Sequence, residues 1–295
     1  MTTVDIALDR RTGRLGVWLR RVGWRHVVGV AAVAFSLFPI VFVISAAINP
    51  VGTLSSTDLL PTGAGVGNFH DLFARTAFVH WLVNSILISG VSAFAGVFVS
   101  FCAAYAFSRM RFRGRRIGLI SLLLIQMFPQ FLAVVAIYYM FASIGDFYPA
   151  IGLNTQLGLL LLYLGPSLGV NTWLTKGFID TIPRELDESA VMDGATPTQT
   201  FARIILPLAA PILAVTALLG FISTINEVLF ASIFLTSPDT KTLAVGLYGL
   251  VQGQRNANFG MFAAGSLITA VPTVFLFQFL QRYIVSGLSA GAVKG

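Results

Sequence analysis

The chain has 295 residues, of which 56% are hydrophobic and only 11% are charged. A soluble domain usually carries about twice that share of charged residues, so this composition excludes an ordinary soluble fold. The net charge of +7 does not indicate nucleic-acid binding, because the arginines cluster at the ends of long apolar runs, where basic residues orient a membrane protein.

Six apolar stretches are long enough to cross a hydrocarbon core of about 30 Å, which takes roughly 20 helical residues. They lie near residues 27–48, 82–107, 117–141, 157–175, 212–235 and 260–284. The first run is longer than the apolar core of a signal peptide, so we expect an uncleaved helix. The predicted fold class is an all-α integral membrane protein with six transmembrane helices in contact with lipid.

The distribution of basic residues predicts the orientation of these spans. With the N-terminus inside, 16 of the 19 lysines and arginines fall in cytoplasmic segments. Only Arg75, Lys241 and Arg255 fall outside. Both termini are therefore predicted to be cytoplasmic.

The chain is predicted to have three parts. A basic N-terminal segment covers residues 1–26, the transmembrane domain covers 27–285, and a cytoplasmic tail covers 286–295. Residues 12–25 combine an apolar face with arginines, which fits a helix lying on the membrane surface. A disordered basic leader fits the same residues equally well.

One predicted cytoplasmic segment, residues 176–211, differs from the others. It holds five of the twelve acidic residues of the chain. Pro183 followed by acids is typical of a helix start, and Gly194 is typical of a helix end. A simple connection between two spans needs only a few residues. This segment, which we call the coupling loop, is therefore predicted to contact another protein.

A second helix is predicted within the same loop. Thr196 is a candidate N-cap, Pro197 occupies the first helical position, and Gln199 completes a capping box. Pro207 is expected to end this helix.

At these residues the sequence resembles the permeases of binding-protein-dependent ABC importers, which carry the pattern E-A-A-x3-G-x9-I-x-L-P. The chain reads Glu188-Ser189-Ala190, three residues, Gly194, nine residues, and Ile204-Ile205-Leu206-Pro207, with Ser189 in place of the first alanine. The resemblance implies a type I importer permease bundle whose coupling helix docks on a separate ATPase. The residues expected at that contact are Glu188, Ser189, Ala190, Asp193, Gly194, Ile204, Leu206 and Pro207.

A narrower resemblance links the chain to the smaller permease subunit of maltose and maltodextrin importers. It is carried by Glu188 to Pro211, by residues 242–246 and by residues 287–295. The implied function is import of a maltose-like oligosaccharide across the bacterial plasma membrane. Trehalose, another carbohydrate or glycerol-phosphate is the alternative substrate.

The same resemblance implies the partners. They are a second, homologous permease, an ATPase dimer that binds ATP and Mg, and an extracytoplasmic sugar-binding protein. The C-terminal tail is expected to reach between the two ATPase subunits. The external loop from Tyr248 to Phe259 is expected to enter the cleft of the binding protein. Its expected contact residues are Gln252, Gln254, Arg255, Asn256 and Asn258.

Glu227 is the one carboxylate well inside a predicted span, and Asn226 precedes it. An ionisable residue in a membrane helix tends to face the bundle interior or an aqueous path. Asn226 and Glu227 are therefore candidates to line the translocation path. A structural hydrogen bond near the outer end of the span explains Glu227 equally well.

Several other classes of protein are less well supported. The chain has no G-x-x-x-x-G-K-[ST] loop, so neither ATP binding nor a cofactor is expected on it. His26, His70 and His80 are too scattered for a metal site. A secondary transporter more often has several intramembrane ion-coupling groups in repeated halves. A membrane enzyme needs a nucleophile–base pair or a metal cluster, and the predicted spans carry no histidine to serve as a base.

Overall fold

The computed structural model describes residues 22–50, 63–252 and 258–292, with side chains as far as residue 284. The described residues form a bundle of helices. In chain order these are α1 (Trp24–Ile48), α2 (Gly67–Arg75), α3 (Phe78–Arg109), α4 (Arg115–Met127), α5 (Val134–Phe147), α6 (Gln156–Thr181), α7 (Glu185–Met192), α8 (Pro197–Ile225), α9 (Leu229–Phe234), α10 (Leu243–Gln252) and α11 (Phe259–Ala292).

Six helical stretches are long and apolar enough to cross a membrane. They are α1, α3, residues Gln130–Phe147, α6, α8 and α11. Their number and type confirm the predicted all-α membrane fold class. Two of these helices are also longer than predicted: α3 has 32 residues and α6 has 26.

α3 lies at the centre of the bundle and packs most extensively on α6 and α8. Its stripe of small residues, Ser92, Gly96, Ser100 and Ala104, is buried along one face. A Cβ atom at Gly96 would lie 2.8 Å from the hydroxyl oxygen of Ser167 on α6. Small side chains therefore permit the close approach of these two helices, as expected for membrane helix packing.

The predicted third span, residues 117–141, is wrong as a single helix. α4 ends at Met127, a 3₁₀ turn covers Gln130–Ala133, and α5 begins at Val134. Proline disfavours helical geometry in the residue before it, and Phe128 is accordingly extended, with φ −72° and ψ 127°. Pro129 thus breaks the helix, and the stretch suited to spanning the membrane starts after it.

The predicted fifth span, residues 212–235, is wrong at both ends. α8 begins at Pro197 and ends at Ile225, and α9 follows as a separate short helix. Pro207 does not end the preceding helix. A π-helical turn, Phe201–Ile205, lies directly before it. The hydrogen-bond register changes there, so the N–H that proline lacks falls where the regular ladder is already interrupted.

The chain ends are described only in part. α11 continues through the predicted cytoplasmic tail as far as Ala292. The predicted surface helix, residues 12–25, lies mostly outside the described residues, which begin at 22.

Candidate functional site in the coupling loop

α7 begins at Glu185, two residues after the predicted start at Pro183. Glu185, Asp187 and Glu188 occupy its first turn. Carboxylates there stabilise the helix, because the free N–H groups give its N-terminus a partial positive charge.

Gly194 ends α7 in a left-handed conformation, with φ +80°. Its N–H donates to the carbonyl of Val191 at 3.0 Å, and the N–H of Ala195 donates to the carbonyl of Ala190 at 2.9 Å. This pair of bonds is a Schellman motif, which satisfies carbonyls left free at the helix end. The prediction that Gly194 ends the first helix of the loop is confirmed.

The predicted capping box is also present at the start of α8. The N–H of Thr196 donates to the side-chain oxygen of Gln199 at 2.7 Å, and the N–H of Gln199 donates to the hydroxyl of Thr196 at 3.3 Å. Only Gly194 and Ala195 separate Asp193, the C-cap of α7, from Thr196, the N-cap of α8, so the corner between the two helices is tightly defined.

α7 presents an exposed face that is both acidic and apolar. Val191 is 64% exposed and Met192 is 88% exposed, and Leu186 and Glu188 are also open. Ala190, in contrast, is buried within the chain at 5% exposure. Apolar side chains exposed beside acids, on a helix too short and too polar to span a membrane, are typical of a protein docking surface.

Val191 and Met192 were not predicted as site residues. They occupy the three-residue spacer of the motif, which specifies no residue type. Their signal in the sequence is two consecutive apolar residues on an otherwise acidic eight-residue helix.

The second half of the loop is anchored to the bundle. Ile205 is fully buried in a cluster with Ile179, Ile182 and Phe101, and Ile204 packs against it. Phe201 stacks on Phe101, with ring centroids 4.8 Å apart. Of the remaining predicted site residues, Ser189, Asp193, Leu206 and Pro207 are exposed.

A polar network joins the end of α3 to the coupling loop. The Nε of Arg109 lies 2.9 Å from the Oδ2 of Asp187 on α7, and its Nη2 donates to the carbonyl of Ile182 at 2.8 Å. Arg184 returns a bond to the carbonyl of Ser108 at 3.2 Å. No local sequence pattern predicts this network, because its members are more than 70 positions apart.

At the opposite end of the bundle, the side-chain amides of Asn154 and Asn84 hold residues 235–242 in place through hydrogen bonds. Asn154, at φ +59°, accepts hydrogen bonds from the N–H groups of Thr236 and Ser237 at 3.1 Å each. Asn84 donates to the carbonyls of Asp239 and Lys241 at 2.7 and 3.0 Å. These bonds fix the chain that leads into α10.

The predicted binding-protein loop follows α10. Gln252 is exposed at the end of that helix, and Asn258 lies directly before α11. Gln254, Arg255 and Asn256 lie outside the described residues.

Asn226 and Glu227 face different surroundings at the break between α8 and α9. Glu227 accepts a hydrogen bond from the hydroxyl of Tyr163 at 2.6 Å, and from the N–H groups of Phe230 and Ala231 at 2.9 and 3.0 Å. The carboxylate therefore caps α9 and ties it to α6. This geometry matches the structural alternative for Glu227.

Asn226 borders an open cavity of about 520 Å³ between α8, α10 and α11. Polar groups from α11 and α10 share the lining: Ser266, Thr269, Thr273 and Tyr248. The cavity thus combines hydroxyl and amide groups with an apolar wall. Among the described residues, no group of three His, Cys, Asp or Glu side chains is placed to hold a metal ion.

Comparison with known sequences identifies the family. The family described as "Binding-protein-dependent transport system inner membrane component" matches residues 95–290, which include the whole coupling loop. The chain belongs to this family. It is accordingly a multi-pass permease subunit of an ABC importer and not an enzyme, as predicted.

Named relatives share most of the permease's length. The permease is 39% identical to the galactooligosaccharides transport system permease protein GanQ of Bacillus subtilis over 88% of this chain and 90% of that protein. It is 38% identical to the maltose/maltodextrin transport system permease protein MalG of Vibrio parahaemolyticus over 93% and 96%. The MalG protein of Escherichia coli (strain K12) is 45% identical over 73% and 72%.

Solved structures show the same fold for the permease. A bacterial ABC transporter involved in the import of the acidic polysaccharide alginate matches with a TM-score of 0.70 and 22% identity, over 90% of this chain and 97% of that one. A bacterial alginate ABC transporter in complex with an alginate pentasaccharide-bound periplasmic protein matches with a TM-score of 0.66 and 18% identity, over 91% and 96%.

Proposed function

We propose that the permease imports a sugar, of the maltose or maltodextrin type, in a complex with four partner chains: a second permease, two ATPase subunits and an external sugar-binding protein. The observation that carries this proposal is α7, a capped and glycine-terminated helix whose exposed face lies outside the spans. Relatives named for maltose, maltodextrin and galactooligosaccharide transport support a carbohydrate substrate.

The exposed face of α7 is the proposed contact with the ATPase. Val191 and Met192 supply apolar area, and Glu188, on the same side of the helix, supplies charge. ATP and Mg are bound by the ATPase in this proposal. Gly194 and Ala190 contribute by shaping the helix end and by packing, respectively.

The cavity beside the helix break is the proposed segment of the translocation path on this subunit. Hydroxyl and amide side chains are suited to binding a sugar, since they both donate and accept hydrogen bonds. Asn226 is therefore proposed to line the path. Glu227 instead stabilises the break between α8 and α9 through its hydrogen bond with Tyr163.

Reconstitution in liposomes tests this function. The permease alone is expected to show neither ATP hydrolysis nor sugar uptake, because it has no phosphate-binding loop. Combined with its partner permease, ATPase and loaded binding protein, it is expected to take up sugar at the expense of ATP. Uptake by the lone chain contradicts an ABC importer mechanism.

The substrate is tested by the cognate binding protein. Titration with maltose, maltotriose, trehalose and glycerol-3-phosphate is expected to give the tightest binding for a maltodextrin. Tight binding of trehalose or glycerol-3-phosphate alone would move the assignment to that substrate and leave the importer class intact.

Both termini are expected to face the cytoplasm, because 16 of the 19 basic residues fall on that side. Reporter fusions measure this directly. A fusion at Gly295 and an insertion in the 236–259 loop are expected to report opposite sides of the membrane. Equal signals from the two sites contradict the six-span arrangement.

A further inference from the structure

We propose that Arg109 is the residue that sets the angle of α7, through its ion pair with Asp187. Arg109 is the last residue of α3, the central helix of the bundle. The proposal rests on the proposed docking of α7 on an ATPase. In this proposal, Arg109 and Asp187 transmit motion of α7 at the ATPase contact to α3.

Apolar packing does little to orient α7. Ala190 is its only buried residue among the eight of the helix. Val191 and Met192 are 64% and 88% exposed, and Leu186, on the side of Ala190, is 40% exposed. Burial therefore contributes little to the direction of α7: the corner at Gly194 fixes its C-terminal end, and its N-terminal end depends on polar contacts.

The ion pair supplies such a contact. The side chain of Arg109 is 8% exposed and that of Asp187 is 21% exposed, with Nε and Oδ2 2.9 Å apart. A pair so far removed from solvent is screened less by salt than a surface pair. Neither of these two atoms makes a hydrogen bond, so the pair acts through its charge at close range.

Arg109 contacts both sides of the turn that precedes α7. Its Nη2 bonds the carbonyl of Ile182 at 2.8 Å while its Nε meets Asp187. Arg184, between these two, bonds back to the carbonyl of Ser108 at 3.2 Å. The final two residues of α3 therefore both bind the segment at the start of α7: Arg109 donates a hydrogen bond to it, and Ser108 accepts one from it.

The same residues of α3 also hold the end of α6. The hydroxyl of Ser108 donates to Asp180 Oδ1 at 2.6 Å, and Lys176 pairs with the other oxygen of that carboxylate. α6, α3 and α7 thus meet at one polar junction. Movement of α7 at the ATPase is passed to α3 at this junction, because Arg109 and Arg184 join the N-terminal end of α7 to α3, whereas the corner at Gly194 joins its other end to α8.

The test compares charge-neutral variants in the complete importer complex. Asp187→Asn and Arg109→Gln keep the side-chain shape or length but remove the ion pair. We expect the ATPase to co-purify, with basal hydrolysis retained. Stimulation of hydrolysis by loaded binding protein is expected to fall about three- to tenfold, in the range seen when residues that carry coupling are altered.

A charge exchange separates coupling from simple damage. The double variant Arg109→Asp with Asp187→Arg restores an ion pair but not the bond to Ile182, so partial recovery of stimulation over either single charge reversal is expected. Arg113→Gln is the matched control for Arg109→Gln, because Arg113 lies four residues further along and is exposed. It is expected to behave like the parent.

The outcomes distinguish this proposal from the proposed function. If the parent complex shows no response of hydrolysis to loaded binding protein, the proposed function fails. If the parent responds and Asp187→Asn responds equally, only the role of the ion pair fails. If the single variants do not assemble and the charge exchange recovers nothing, the proposal is likewise overturned.

Discussion

Gly194→Val is expected to abolish most of the coupling between sugar delivery and ATP hydrolysis while leaving the membrane bundle folded. Gly194 has φ +80°, a conformation that costs a residue with a Cβ atom about 1–2 kcal/mol. No heavy atom lies within 4 Å of a Cβ placed there, so the added Cβ has free space around it. The main cost is therefore backbone strain, which α7 relieves by leaving its docking angle.

A strain of this size lowers the population of the docking-competent conformation by roughly 5- to 30-fold. The measurement is hydrolysis by the assembled complex with and without loaded binding protein, together with sugar uptake. Expression and membrane insertion are expected to stay near those of the parent, because the strain is local to the corner between α7 and α8.

Gly114 provides a matched control. It lies in the loop between α3 and α4, has φ +87°, and has no heavy atom within 4 Å of a built Cβ. Gly114→Val therefore imposes similar strain outside the coupling loop and is expected to preserve coupling. Gly194→Asn is expected to lose less than Gly194→Val, because asparagine adopts left-handed geometry more readily. Parent-like transport by Gly194→Val would falsify the role of this corner in coupling.

Glu227→Ala is expected to produce the largest loss of stability among these variants. The substitution removes the acceptor of three donors: the Tyr163 hydroxyl and the N–H groups of Phe230 and Ala231. Each buried donor left without a partner costs about 1–3 kcal/mol. The melting temperature of the purified complex in detergent measures the effect.

Tyr163→Phe is the companion variant, since it removes one donor and leaves the carboxylate and its two backbone partners. Its destabilisation is expected to be smaller. Because both residues share one interaction, the double variant is expected to lose less than the sum of the two single variants. If Glu227→Ala melts like the parent yet abolishes uptake, Glu227 acts on the substrate and not on the helix break.

Local features of the coupling loop were predictable because their interacting residues are neighbours in sequence. Thr196 and Gln199 are three positions apart, and Gly194 lies directly after the helix that it ends. The chemistry of caps and left-handed turns depends on residue type, so such pairs can be found without coordinates.

The junction of Arg109 with Asp187 was not predictable by the same means. Both residues lie in segments rich in charge. An arginine at the end of a membrane helix is also expected from the positive-inside rule alone, so Arg109 does not stand out in the sequence. Only the packing of α3 against α6 brings them together. The pairing of Glu227 with Tyr163 on another helix is hidden for the same reason.

Helix ends were predicted less well where the sequence signal was ambiguous. Pro129 and Pro207 are both prolines within apolar runs, yet the helix stops at the first and continues through the second. The difference arises from the wider π-helical turn before Pro207, which no residue type announces. The break after Ile225 has no proline at all and depends on the capping of α9 by Glu227.

The unbroken course of α8 has a mechanical consequence. Its 29 residues at a rise of about 1.5 Å each form a rod of about 43 Å, longer than the hydrocarbon core of about 30 Å. One end of this helix forms the capped corner at Thr196, and its other end lies beside the cavity at Asn226. Because the helix is continuous, a displacement of the corner at Thr196 also displaces the wall of the cavity at its other end.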